Sequence, residues 1–365
     1  MLNNFLKYLS GDIVAKALGL LSIPVYTRFI SPQEFGTYTI ILSYAAIASF
    51  LFSLNAHTSI SRFMYEKNVD YKGFISTTLI LSAVIFFISS SLLLILNDSF
   101  VDKLLGFEFS IYKNYFILFV SLAIIFSIYI QILIPQLKSK EYSILIVTQA
   151  YSKFIVVLIF FYFIEATALR YLQAVLLVDL IIILYIFWNL KQYFKPKLNK
   201  IHVKYILNYS ILLIPYMLSA VILAQIDRVM IGSMIGEYEA GIYSVGYAFG
   251  SAPLVIFAAF SHAWMPKYFS NMNEGEYSSL DKDVLVVVLA TALGISIYST
   301  YIGYLLSFLL SDSYQLSLQH IPLISMAMFF AIMWNIWGRG ITFAKKTIWT
   351  SIAGIISAMA NIYLN

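Results

Sequence analysis

Lys153 and Asp179 fall inside long apolar stretches of the chain. A charge at the centre of a bilayer costs about 2.5 to 3.5 kcal/mol on insertion scales, so such groups face protein or a wet cavity. Counted from the turn near Glu165, Lys153 lies 12 residues before and Asp179 14 after. At about 1.5 Å per helical residue their depths then differ by about 3 Å, which lets them pair. Two readings of such a pair stand. It pins a helical hairpin, where removing one partner is costly although the pair adds little net stability. Alternatively, Lys153 looks into a hydrated cavity and attracts an anionic group as a point charge, with Asp179 neutralising it when the cavity is empty and offering a site for proton coupling.

Other charges have blander readings beside the sharper ones. Asp12 and Lys16 are four residues apart, hence on one helical face. They form an interfacial pair with Lys16 snorkelling to the surface, or they place Lys16 at the mouth of a cavity. Arg28 closes the first apolar stretch and Asp227 with Arg228 closes the seventh, as interface anchors or, for the second pair, as a coupling-ion site. Arg62 contacts headgroups or an incoming anion. Metal and thiol chemistry have no basis: there is no cysteine, and His57, His202, His262 and His320 are scattered. No G-x-x-x-x-G-K-[ST] phosphate loop occurs.

The elements that must position these residues are membrane helices. Of 365 residues 61% are apolar and 11% charged, and the mean hydropathy is +0.84; soluble domains carry about 25% charged residues. Spans of about 20 residues are read at 11 to 30, 36 to 56, 74 to 96, 115 to 137, 143 to 162, 167 to 188, 205 to 226, 241 to 263, 284 to 307, 320 to 340 and 347 to 364. The alternating period of outer-membrane strands is absent. The fold expected is therefore an all-α polytopic membrane protein. No signal peptide is evident, because the first apolar segment lacks a cleavage site and carries Asp12 and Lys16. Most of the 29 Phe, 28 Tyr and 5 Trp are expected in interface belts.

Charge sets the orientation. With the N-terminus inside, 16 of the 23 Lys and Arg residues, among them Lys67, Lys197, Lys345 and Lys346, lie on the cytoplasmic side. Five, Arg28, Lys103, Lys113, Arg170 and Arg228, lie opposite, and Lys16 and Lys153 stay within spans. That asymmetry predicts a cytoplasmic N-terminus. It also accounts for the net charge of +5 without nucleic acid as a partner. The densest run, KQYFKPKLNK, would rest against anionic lipid headgroups.

The same run divides the chain into an N-terminal lobe at 1–190 with six helices, a basic cytoplasmic linker at 191–204, and a C-terminal lobe at 205–365 with five. Both lobes open with Lys-Tyr, at Lys7 and Lys204, and both carry E-x-G-x-Y, at Glu34, Gly36 and Tyr38 and at Glu239, Gly241 and Tyr243. The motif offset is 205 and the Lys-Tyr offset 197. The pattern supports two pseudo-symmetric six-helix lobes, an architecture of secondary transporters, and that symmetry asks for a twelfth helix after Asn365. Pro24 and Pro215, in the first helix of each lobe, are hinge candidates. Gly232, Gly236, Gly241, Gly246 and Gly250 permit close helix packing.

The opening LKYLSGDIVAKALGLLSIPVYTRFISPQEFGTYTIIL resembles bacterial polysaccharide transporters of the O-antigen and capsule flippase type, within the multidrug, oligosaccharidyl-lipid and polysaccharide exporter superfamily. The likeness is carried by Arg28, by Ser31, Pro32, Glu34, Phe35, Gly36 and Tyr38 in an S-P-x-E-[FY]-G-x-Y turn, by Ser61, Arg62 and Phe63, and by QIDRVMIGSMIGEYEAGIYSVGYA at 225–248. It implies a flippase that moves a polyprenyl-diphosphate-linked oligosaccharide from the cytoplasmic to the periplasmic leaflet of the bacterial inner membrane. It further implies lobes that rock about a central site, H+ or Na+ coupling, no other cofactor, and a polysaccharide polymerase as partner. Lys153, Asp179, Lys16 and Arg62 are then the candidates for the diphosphate or an acidic sugar. A cation-coupled drug exporter of the same superfamily would need an acidic cavity. A membrane polymerase would need catalytic groups on an aqueous loop, and the outer loop at 97–114 offers only Asp98, Asp102, Lys103, Glu108 and Lys113 without a paired acid–base arrangement.

Overall fold

The computed structural model describes residues 2–66, 70–105, 107–195, 198–344 and 348–364. Lys67, Lys197, Lys345, Lys346 and Asn365 lie outside them. Among the described residues there is no strand. The helices are α1 (Leu2–Tyr26), α2 (Pro32–Ser53), a short α3 (Thr58–Phe63), α4 (Tyr71–Ile95), α5 (Asp98–Leu105), α6 (Lys113–Leu133), α7 (Ser139–Phe163), α8 (Ala168–Leu190), α9 (Lys200–Met234), α10 (Glu237–Gly250), α11 (Ala252–Glu274), α12 (Tyr277–Leu309), α13 (Ile321–Phe343) and α14 (Ile348–Leu364). Each apolar stretch read from the sequence corresponds to a helix or to the α10–α11 pair. Nine described segments are long and apolar enough to cross a membrane, α14 is apolar but shorter, and α1 carries the charges of Asp12 and Lys16. The chain is a multi-pass membrane protein.

Three boundaries differ from expectation. The seventh span runs from Lys200 to Met234, well beyond 205 to 226 at both ends. Asn199 starts it by accepting the Ile201 N–H at 2.9 Å, a polar cap that hydropathy overlooks. Asp227 and Arg228 do not close that helix but lie inside it. The eighth span is broken at Ser251, where Pro253 in the first turn of α11 removes a backbone donor. The loop at 97–114 contains α5 and a 3₁₀ turn, Phe109–Tyr112. Three of its charges serve structure: buried Lys113 bonds Asp98 at 2.9 Å, and Asp102 accepts from the Ser110 N–H and hydroxyl at 2.8 Å each.

The S-P-x-E turn forms as its chemistry dictates. Ser31 caps α2, accepting from the Glu34 N–H at 3.3 Å, and Pro32 occupies a first-turn position where no donor is needed. The Glu34 carboxylate then reaches across to accept the Ala168 N–H at 2.6 Å. It thereby satisfies a free donor at the positive end of α8.

The two halves meet along α2 and α10. A Cβ built on Gly36 would press into the Glu237 carbonyl and stand 2.8 Å from the Gly241 nitrogen; one built on Gly241 would press into the Pro32 carbonyl and stand 3.0 Å from the Gly36 nitrogen. The contact is reciprocal at the offset of 205, as a local two-fold requires. Thr39 and Ser244, at the same offset, share a hydrogen bond of 3.0 Å. Gly246 and Gly250 press on Ser317 and Ile324, so these glycines serve packing.

Candidate functional site: a cationic central cavity

Two ends of the bundle are distinguished by their residues. At the turn end α1 finishes, α2 and α8 begin, and α9 passes into α10; at the basic end α2 finishes and α7 and α9 begin. A cavity of about 750 Å³ lies between α1, α2, α6, α7 and α8 on one side and α9 and α10 on the other. Along α2 its lining runs from Phe35 to Ser49, about 21 Å at 1.5 Å per residue.

Aromatic rings close it at the turn end. Tyr38 stacks on Tyr171 with centroids 3.7 Å apart, Tyr26 meets Tyr171 edge-on at 5.3 Å, and Phe35 meets Tyr314 edge-on at 6.2 Å. The Tyr314 hydroxyl donates to the Ile30 carbonyl at 3.1 Å, and Ser311 donates to the Thr27 carbonyl at 2.7 Å. These bonds tie the segment before α13 to the end of the first span.

Two cations line the cavity, one from each half of the chain. Lys153 Nζ lies 2.9 Å from Asp179 Oδ1, with side chains 27% and 10% exposed. The same carboxylate oxygen accepts from Gln149 at 2.8 Å. Lys153 therefore shows its cationic side to the cavity while Asp179 stands behind it, outside the lining. Arg228 is held in a different way. Its Nη1 donates to the Ala224 carbonyl at 2.9 Å and to Gln225 Oε1 at 3.2 Å, and its guanidinium lies 4.4 Å from the Tyr247 ring centroid, an arrangement in which the ring face attracts the cation. Gln225 Oε1 also accepts from Ser43 at 3.0 Å, which links α9 to α2. Among the described residues lining the cavity there is no Asp or Glu.

The remaining candidates are dispersed. Asp227 turns from the cavity, accepting from Tyr243 at 2.8 Å and from Asn361 at 3.2 Å. Asp12 accepts from Tyr142 at 2.9 Å, and no ion pair joins it to Lys16 among the described residues. Lys16 is exposed, one turn before Gly19 and outside the lining. Arg62 is exposed at the basic end beside Glu66 at 3.8 Å, and Arg28 is exposed just beyond α1. Pro24 lies in the last turn of α1 and Pro215 inside α9; Ser219 donates to the Pro215 carbonyl at 2.6 Å. The sequence reading placed Arg228 at a helix end and not in a cavity, and it did not single out the closing tyrosines. A usable signal was the spacing of Gln225 and Arg228, three residues apart and so on one helical face. Gln149, four residues before Lys153, was another.

Several solved structures share this fold. A multidrug resistance MATE family transporter of the MOP superfamily in its inward-facing conformation is 16% identical, with a TM-score of 0.69 over 94% of this chain and 84% of that one. An outward-facing conformation of such a transporter is also 16% identical, with a TM-score of 0.57 over 97% and 84%. A MATE protein in the straight conformation gives 16% identity and 0.56 over 97% and 84%. No curated protein sequence matches the chain. At 16% identity the likeness is one of fold, but the sequence itself matches a family model, polysaccharide biosynthesis protein, over residues 1–273, and to that family the chain belongs.

Proposed function

We propose that the protein is a flippase that carries a polyprenyl-diphosphate-linked oligosaccharide from the cytoplasmic to the outer leaflet of a bacterial inner membrane by alternating access. The observation that carries the reading is the cavity with a cation from each half and no carboxylate among its described lining residues. A diphosphate brought into a low-dielectric cavity needs fixed positive charge, and Lys153 and Arg228 supply it without an adjacent lining anion. Asp179 keeps Lys153 compensated while the cavity is empty. The basic end is cytoplasmic, following the lysine asymmetry, and the aromatic closure then faces outward, so the conformation is inward-open. Residues 1–190 and 205–365 act as the two lobes, with 191–204 joining them. Lys16 and Arg62 lie on the approach rather than at the centre. Coupling runs on an H+ or Na+ gradient.

The test compares Lys153→Ala, Asp179→Ala and the double variant in vesicles, measuring both membrane abundance and translocation of the lipid-linked oligosaccharide. Lys153→Ala is expected to lower transport by about tenfold or more, the equivalent of ~1.4 kcal/mol. Asp179→Ala leaves a half-buried ammonium without its carboxylate partner and lowers abundance. The double variant regains abundance but not transport. Full transport by the double variant would sink the substrate role of Lys153. The rival reading, export of cationic drugs, predicts efflux of a cationic dye that improves when the two lining cations are removed.

A further inference from the structure

A second concavity, of about 700 Å³, lies where α4, α6 and α8 meet, walled by Ala83 and Phe87 of α4, Ile124 and Ile128 of α6, Phe187 of α8 and Phe194 just beyond it. It shares no lining residue with the central cavity, toward which α6 and α8 present Phe119, Ala123, Tyr171 and Val175 instead. Its volume is that of a ligand pocket rather than of a packing defect. Along α4 it runs from Leu79 to Phe87, about 12 Å at 1.5 Å per residue. Leu79 itself lies eight residues in from Tyr71, where α4 starts at the basic end. On α4 the lining is centred on the middle of the helix, whereas on α8 and just beyond it the lining, from Phe187 to Phe194, stands at the basic end. The groove therefore leads from that interface to mid-bilayer, about one leaflet of the ~30 Å hydrocarbon layer.

At its mouth stands the only charged residue of the described lining, Lys191. The Lys191 ammonium lies 4.3 Å over the Trp188 ring and has no carboxylate partner among the described residues. Lys195, the next lysine along, is already paired with Asp70 at 3.7 Å. The mouth is also held in place: Ser76 of α4 exchanges hydrogen bonds with the backbone of Lys195, accepting its N–H at 2.9 Å and donating to its carbonyl. That clamp keeps Lys191 and Phe194 over the groove.

We infer that this groove is a binding site for an anionic phospholipid of the basic-end leaflet, with one acyl chain between α4, α6 and α8 and the headgroup phosphate on Lys191. The uncompensated cation above an apolar slot of leaflet depth selects for negative charge at the interface. The separation from the central cavity assigns the site to a resident bilayer lipid and not to the tail of a transported molecule.

Native mass spectrometry of the full chain tests this, with phosphatidylglycerol and phosphatidylcholine of identical acyl chains as probes. The wild type should retain phosphatidylglycerol about fivefold better, the effect expected of one lysine beside an anionic headgroup. Lys191→Ala should abolish the preference while phosphatidylcholine binding persists, and Lys191→Arg should keep it. Ala83→Trp, which fills the slot, should lose both lipids while still eluting as a monodisperse species. Equal retention of the two lipids by the wild type, an unchanged preference in Lys191→Ala, or undiminished binding in Ala83→Trp would overturn the assignment. Displacement of bound phosphatidylglycerol by a polyprenyl phosphate would overturn it too, in favour of a substrate-tail site.

Discussion

The two E-x-G-x-Y turns are alike in sequence and meet face to face, yet they share only part of their physics. Their glycines do one job: Gly36 and Gly241 let α2 and α10 cross backbone to backbone, each against the other's preceding turn. Their flanking residues have diverged. Glu34 bonds the first N–H of α8, whereas Glu239 is exposed. Tyr38 stacks on Tyr171 over the cavity, whereas Tyr243 turns to Asp227. A close crossing on a two-fold constrains both copies equally, because one added methyl obstructs the same contact from either side. Side chains beside the crossing meet unrelated neighbours and are free to differ.

The largest expected effect breaks the shared part. Gly36→Ala and Gly241→Ala should each abolish or nearly abolish transport, because the new Cβ meets backbone that cannot give way as a side-chain tip can. Overpacking of a rigid contact costs about 1 to 3 kcal/mol or more, and here the cost falls on the state in which the turn end is shut. The two variants should be equally impaired and the double variant less than additive, since both obstruct one contact. Gly294→Ala, with open space around it, is the control and should be silent in the same transport assay. Unequal losses at Gly36 and Gly241 would show that the crossing is not the shared element.

A reversible block tests whether the crossing opens during transport. The chain has no cysteine, so a Thr39→Cys, Ser244→Cys variant carries a single pair, placed where the native hydroxyls are 3.0 Å apart. Oxidation should join α2 to α10 and stop translocation, and reduction should restore it, with the single-cysteine variants indifferent to both treatments. Undiminished transport by the fully oxidised pair would mean that the turn end stays shut throughout the cycle.

Much of this arrangement was legible in the sequence, and what was not has physical reasons. Hydropathy located the spans because the bilayer imposes one length scale on all of them. Depth counting alone made Lys153 and Asp179 possible partners, since a short turn holds two helices antiparallel. Charge was a poor guide to helix ends: Asp227 and Arg228 lie inside α9 because Tyr243, Asn361, Gln225 and Tyr247 receive them, and all of those partners but Gln225 are on another helix. The break at Ser251 was written in Pro253 but hidden by the apolar residues on both sides. The repeat offset of 205 was visible, but that its two copies touch is a property of three dimensions. The tyrosines closing the cavity could not be singled out among so many aromatic residues.

The smallest effect separates the diverged parts of the two turns. Glu34→Gln keeps an acceptor in reach of the Ala168 N–H but removes its charge and the favourable meeting with the positive end of α8. Hydrogen bonds to charged groups are stronger than neutral ones, and an anion at a helix N-terminus adds about 0.3 to 1 kcal/mol. A loss of about 1 kcal/mol is therefore expected, read as a lowered midpoint of thermal unfolding in micelles. Glu239→Gln, at an exposed position, should stay within about 0.5 kcal/mol of the parent. The order matters more than the size. If Glu239→Gln were the more damaging change, the second turn would be holding a partner through its carboxylate, and the two copies would differ less than their neighbours in the structure indicate.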